Sequence, residues 1–217
     1  MKRMFVLLIA LSALIITPAT LASFEWDDGL THTIDDPSIY QTTITLDDGV
    51  VNTPGTHAEI EETGVASTIY LYNNSTLTVS GGIATIIQAY GNSDVLVESG
   101  RLDFTYALGN SEVNIKGGEF IMFSAQENGV IYLHGSDFEL NVDGTVTSLS
   151  YGDKLSSFAE YDGLLSGTLL DSSSVNDIPI EIYRTEAGHT ADIVIVPEPC
   201  SLVLLALGGV ILRRRPI

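Results

Sequence analysis

The chain has 217 residues, with 9 Lys+Arg against 28 Asp+Glu, a net charge of −19 and a single cysteine. So acidic a surface repels phosphate backbones, which excludes nucleic acid as a partner. One cysteine excludes an internal disulfide and a cysteine-based zinc cage, and a hydrophobic content of 45% excludes global disorder.

Lys2 and Arg3 precede an apolar run from Met4 to Ile16, and small residues follow around Thr20, Ala22 and Ser23. A basic start, a short apolar middle and a small-residue exit make a secretory signal peptide. Residues 1–22 are therefore expected to engage the Sec export machinery and to be cut after Ala22. From Phe24 to Thr53 the chain is rich in Thr and Asp, with acidic pairs at Asp27-Asp28, Asp35-Asp36 and Asp47-Asp48. Short strands with turns at Asp36-Pro37 and Asp48-Gly49 are expected there, with Trp26 placed to close one end of the fold. Residues 54–71 read as a degenerate repeat unit whose phase slips by one residue. Residues 23–71 thus form an N-terminal cap with a degenerate coil.

Residues 72–143 are periodic. Four ungapped units of equal length begin at Tyr72, Tyr90, Leu108 and Gln126. The third position is Asn in every unit: Asn74, Asn92, Asn110 and Asn128. The sixth and eighth positions are apolar throughout, from Leu77 and Val79 to Ile131 and Leu133, which is strand alternation with one buried face. A corner follows at Gly81-Gly82, Ser99-Gly100, Gly117-Gly118 and Gly135-Ser136. A second strand then points Leu102 and Phe104, Phe120 and Met122, and Phe138 and Leu140 inward, with Ala84 and Ile86 in the first unit. Stacked units place like residues over like. The asparagines are expected to form a hydrogen-bonded ladder at a corner whose left-handed backbone Asn tolerates. A fixed period of this length implies an all-β chain folded as a parallel β-helix, or β-solenoid, of about 18 residues per coil.

Residues 144–195 change character. Short strands over 148–157, 164–171, 178–183 and 191–196 are expected to finish the stack, because an open apolar end would aggregate.

Residues 196–217 read Val196-Pro197-Glu198-Pro199, then an apolar stretch from Cys200 to Leu212, then Arg213, Arg214 and Arg215. Prolines isolate the apolar segment as a helix, and terminal arginines hold its end in the cytoplasm, leaving the body outside. The three parts in this order resemble the PEP-CTERM sorting signal of Gram-negative bacteria. That resemblance implies recognition by an exosortase, processing near Pro-Glu-Pro, a transient inner-membrane anchor, and a final place at the outer surface or in an exopolysaccharide matrix. The Asn-Ser and Gly-Gly repeats also resemble those of surface solenoids bearing the same signal, which implies a β-helix and no known activity.

From Ser23 to Pro199 only Arg101, Lys116, Lys154 and Arg184 are basic, so this stretch carries 4 positive against 28 negative charges, a net of −24. Neither Arg101 nor Lys116 shares a face with the other, which speaks against a lyase. Asp94 with Glu112, and Glu119 with Asp137, sit at equivalent repeat positions and would stack as carboxylate pairs. Such pairs suit a solvated face; the alternatives are a weakly shared calcium ion or a hydrolase site. His32, His57, His134 and His189 show no metal-ligand spacing. Tyr72, Tyr90 and Tyr106 are the candidate glycan-contacting rings. No catalytic residue and no cofactor are expected. The function expected is that of a non-enzymatic exported surface or matrix protein, with a glycan-binding adhesin as the alternative.

Overall fold

The structure is a computed structural model that describes residues 23–37, 42–46, 55–157, 162–184 and 188–196. The signal peptide, the Pro197-Glu198-Pro199 motif, the apolar segment expected to be helical, and Arg213, Arg214 and Arg215 lie outside these residues. Among the described residues, no helix is long and apolar enough to cross a membrane.

The chain is all-β. In order the strands are β1 (Ser23–Trp26), β2 (Thr31–Ile34), β3 (Thr43–Leu46), β4 (His57–Ile60), β5 (Val65–Leu71), β6 (Thr76–Val79), β7 (Ile83–Ala89), β8 (Asp94–Val97), β9 (Arg101–Ala107), β10 (Glu112–Ile115), β11 (Glu119–Gln126), β12 (Val130–Val142), β13 (Thr145–Ser148), β14 (Asp162–Leu169), β15 (Ser174–Tyr183) and β16 (Asp192–Val196). They form one large, mostly parallel sheet. The odd-numbered strands β1 to β11 pair in succession, and so do the even-numbered strands β2 to β12.

Within the repeats every pairing is offset by one full unit: Ile83 faces Arg101, Arg101 faces Glu119, Thr76 faces Asp94, and Glu112 faces Val130. The same offset joins β5 to β7, with Val65 opposite Ile83. Between β4 and β6 the offset is one residue longer, with His57 opposite Thr76, which locates the phase slip in the connection from Ile60 to Val65.

The inward side chains form continuous columns along the stack. One runs Ile34, Ile60, Val79, Val97, Ile115, Leu133 and Ile195 through the even strands. Another runs Ile44, Ile69, Ile87, Thr105, Phe123 and Ile180 through the odd strands. All of these side chains are buried. A four-residue strand such as β8 buries only two of them, Val95 and Val97, for about 1.5–3 kcal/mol each. Ordering its backbone costs about 1–2 kcal/mol per residue. One unit alone therefore barely breaks even, and the gain comes from the column.

The longer odd strands depart from the expected alternation. In β9 the buried residues are Leu102, Thr105 and Ala107, while Phe104 is only half-buried; in β11 Phe123 and Ala125 are buried, and Phe120 and Met122 are half-buried. Two consecutive residues, Asp103 and Phe104 in β9, face away from the core, which shifts the phase by one. The bend lies just after the corner, and it carries Thr105 and Phe123 inward in place of Phe104 and Met122. In β12, Phe138 and Leu140 are buried as expected.

The far end departs from the repeat. β12 pairs with β10 over Val130–Leu133, then runs antiparallel to β14 from Gly135 to Asn141. β14 folds back on β15, whose Ile180–Tyr183 section continues the odd series on β11, and β16 continues the even series on β12. The turn between β14 and β15 docks on a glycine corner. Gly118 has φ +110° and its N–H donates to Asp171 Oδ2 at 3.1 Å. Of residues 148–157, Ser148 ends β13, and the rest make a turn, an isolated bridge from Lys154 to Val194 and a short 3-10 segment at Leu155–Ser157 rather than the expected strand.

Thr105 is the polar member of its apolar column, and its hydroxyl is buried with no partner among the described residues. Thr105→Val keeps the shape and removes the orphaned hydroxyl, so it should stabilise the protein by about 1–2 kcal/mol. Urea unfolding measures this; an equal or lower midpoint would contradict it.

Candidate functional surface

The asparagine column lies at the corner that leads into each even strand. Asn110 Nδ2 donates to Asn92 Oδ1 at 3.4 Å, and Asn128 Nδ2 donates to Asn110 Oδ1 at 3.2 Å. Asn128 Oδ1 in turn accepts from the Thr190 N–H at 3.0 Å, so the last rung ties into the column. Asn74 holds the equivalent position one unit earlier. The left-handed residue of this corner is the one before the asparagine: Asn73, Gly91, Gly109 and Glu127 have φ between 56° and 67°. Asparagine is thus selected at its position for its amide and not for its backbone freedom. The next residue turns inward. Ser75, Ser93 and Ser111 are buried, and Ser111 Oγ donates to Ala89 O at 2.9 Å while accepting from Leu108 N at the same distance.

The outer face of the even strands is a shallow groove of about 380 Å³, whose lining includes Thr76, Asp94, Glu112, Asn114, Lys116 and His134. Asp94 and Glu112 are register partners on adjacent strands, about 4.8 Å apart along the stack. Desolvation by burial holds the Asp94 carboxyl above its usual range. Burial, then the nearby Lys116, push the His134 imidazole below its usual value. Its Nε2 lies 3.3 Å from Asn114 Oδ1, so the neutral ring donates from Nε2. Burial and Glu112 raise the Tyr132 phenol. All three groups are biased toward their neutral forms. The groove's lining offers the hydroxyls of Thr76 and Thr78, the amide of Asn114 and the carboxylates of Asp94 and Glu112 as hydrogen-bonding groups. The second expected carboxylate pair does not form, because the strand beyond β11 is β15, and Asp137 lies in β12 where it runs beside β14. Among the described residues, no three His, Cys, Asp or Glu side chains gather as a metal cage.

The tyrosines use their ring faces on one another. Tyr72 and Tyr90 stack at 5.0 Å with planes 12° apart, and Tyr70 stacks on Tyr72 at 6.4 Å. The Tyr90 hydroxyl donates to Gln88 Oε1. Faces already in contact do not present a platform to a sugar, so these rings shield a corner. At the N-terminal end of the stack Trp26 lies half-buried on His32, with ring centroids 4.3 Å apart.

The basic residues of the body are all engaged. Arg101 pairs with Asp103 at 3.0 Å and Lys116 with Glu98 at 3.5 Å, while Lys154 and Arg184 converge on Asp192. The first two pairs are exposed and contribute little. The third centres on a buried carboxylate and involves residues that sequence spacing had not connected. Its only sequence signal was the scarcity of basic residues, which makes two of them near one carboxylate notable. Of the sorting-motif residues, Val196 is described: it ends β16 opposite His134. Compared with known protein families, curated proteins and solved structures, the chain matches none.

Asn110→Ala removes two amide bonds at an exposed corner and should cost about 1 kcal/mol, with Asn110→Asp falling between it and the wild type. Denaturant unfolding reads both; no loss in Asn110→Ala would show the column to be incidental. Asp94 gives a pH test. Its folded pKa is raised above the unfolded value of about 4, so its preference for folding is present below that value and lost as pH rises through the folded pKa. Asp94→Asn should accordingly be the more stable protein at pH 7, by less than about 1 kcal/mol at so exposed a site, with the advantage gone near pH 3. A constant difference across that range would refute the assignment.

Proposed function

We propose that this chain is an exported, non-enzymatic surface or matrix protein whose body is a β-solenoid of about 18 residues per coil. The observation that carries the solenoid is the register: two series of parallel strands in which partners within the repeats keep one constant offset, the length of the repeat unit. Successive rungs then trace a coil, with the columns as its core. Its surface is strongly acidic, which favours solubility through self-repulsion and disfavours anionic lipid headgroups.

The address rests on the chain ends. Lys2, Arg3 and the apolar run that follows supply export. Val196, Pro197, Glu198 and Pro199, with Arg213, Arg214 and Arg215 beyond the apolar segment, supply sorting by an exosortase. In sequence β16 passes directly into Pro197, so the sorting segment follows the folded body without a spacer. The destination is the outer surface or an exopolysaccharide matrix, reached through a transient inner-membrane anchor.

One observation favours a second reading, a glycan-binding adhesin. The groove over β6, β8, β10 and β12 repeats hydrogen-bonding side chains at the strand spacing, which suits a polymer of hydroxyl groups lying along the stack. Calcium assistance is the weaker part of that reading, since Asp94 and Glu112 are only two carboxylates.

Cell fractionation of a Gram-negative host carrying an exosortase tests the main reading. The wild-type protein should be recovered outside the inner membrane and shortened at its C-terminus. Changing Pro197, Glu198 and Pro199 to alanine should hold the full-length chain at the inner membrane. A wild-type protein that stays in the cytoplasm, or leaves the cell uncut, would overturn the sorting assignment.

A further inference from the structure

The last strand of the fold is fastened by a charge cluster that no repeat position encodes. Asp192, the first residue of β16, is 2% exposed. Its Oδ1 accepts from Ser156 N–H at 3.2 Å and from Ile193 N–H at 2.9 Å, and its Oδ2 accepts from Ser156 Oγ at 2.8 Å. Arg184 Nη2 lies 3.7 Å and Lys154 Nζ 3.9 Å from Oδ2. Arg184 also donates from Nε and Nη2 to the carbonyl of Ala191, at 3.1 and 3.0 Å, bridging the end of β15 to the start of β16. Alongside, Gly152 N–H donates to Ile195 O at 2.8 Å and Ile195 N–H to Asp153 O at 3.1 Å. Residues 152–157 thus cover the edge of β16 that faces away from β12, and Asp192 pins that cover at its Ser156 end.

We propose that this cluster is a latch: Asp192, held by Ser156, Lys154 and Arg184, locks β16 to the cap segment so that the C-terminal strand stays seated when force or a processing enzyme acts on the chain beyond Val196. Three observations carry it. A buried carboxylate is costly without compensating partners, and this one has three hydrogen bonds and two cations. The body has only four basic residues, and two of them serve this one acid. The chain from Pro197 onward is joined to the fold through Val196, so any load it transmits enters through β16. The latch does not depend on the sorting assignment, since any attachment through that segment would load the same strand.

Hydrogen–deuterium exchange on the full-length protein tests it. In Asp192→Asn the amides of Ile193–Val196 should exchange about tenfold or more faster, while those of β8 and β10 keep wild-type rates. The double variant Lys154→Met, Arg184→Met leaves Asp192 and Ser156 in place and should speed the same amides, so it decides the matter if Asp192→Asn does not fold. Unchanged exchange in β16, or acceleration of all strands together, would overturn the latch and leave the cluster as a general contribution to stability. Neither outcome bears on where the cell sends the protein.

Discussion

The constraint on which this structure depends is the vertical coincidence of like side chains. A four-residue strand with two inward residues does not hold itself together. It is stable because Val79 sits over Val97, Val97 over Ile115, and Ile115 over Leu133. The constant period sets that coincidence, since any change of offset moves apolar residues off their column. The connection between β4 and β5 absorbs its one extra residue outside the strands, and the stack continues through it.

The polar features follow from the same geometry. Once the strands stack in register, a residue type repeated at one position becomes a column of that type. Asparagine becomes a chain of amide bonds and tyrosine a pile of rings. Carboxylates become a pair, in which desolvation favours the neutral form of Asp94. The groove over the even strands is the outward face of the columns that make the core. The C-terminal end breaks the pattern: β12 turns away, β14 and β15 fold back, and the final strand is held by a buried acid with two basic residues.

Much of this was legible in the sequence. The period, the asparagine column, the inward positions of the even strands and three of the four glycine corners follow from residue spacing; the fourth expected corner, Gly135-Ser136, lies inside β12, which runs straight on to pair with β14. The inward phase of β9 and β11 did not, because a bend that turns two successive residues outward leaves no mark in an apolar pattern where Phe104 and Thr105 are both admissible. The failure of Asp137 to stack on Glu119 was hidden because repeat phase does not reveal where a strand leaves the stack. The Asp192 cluster joins residues from three segments, and no local spacing encodes such a contact. The fate of Tyr72 and Tyr90 turned on ring orientation, which composition does not specify.

The most direct test of register-matched stacking is disulfide trapping between outward register partners, in a chain with Cys200 changed to serine. Thr78 and Leu96 face each other across β6 and β8. Adjacent parallel strands lie about 4.8 Å apart, within the Cα separation that a disulfide spans. Thr78→Cys with Leu96→Cys should form an intramolecular disulfide under mild oxidation, whereas Thr78→Cys with Asn114→Cys, two strands apart, should not. No cross-link in the first pair, or equal cross-linking in both, would contradict the account.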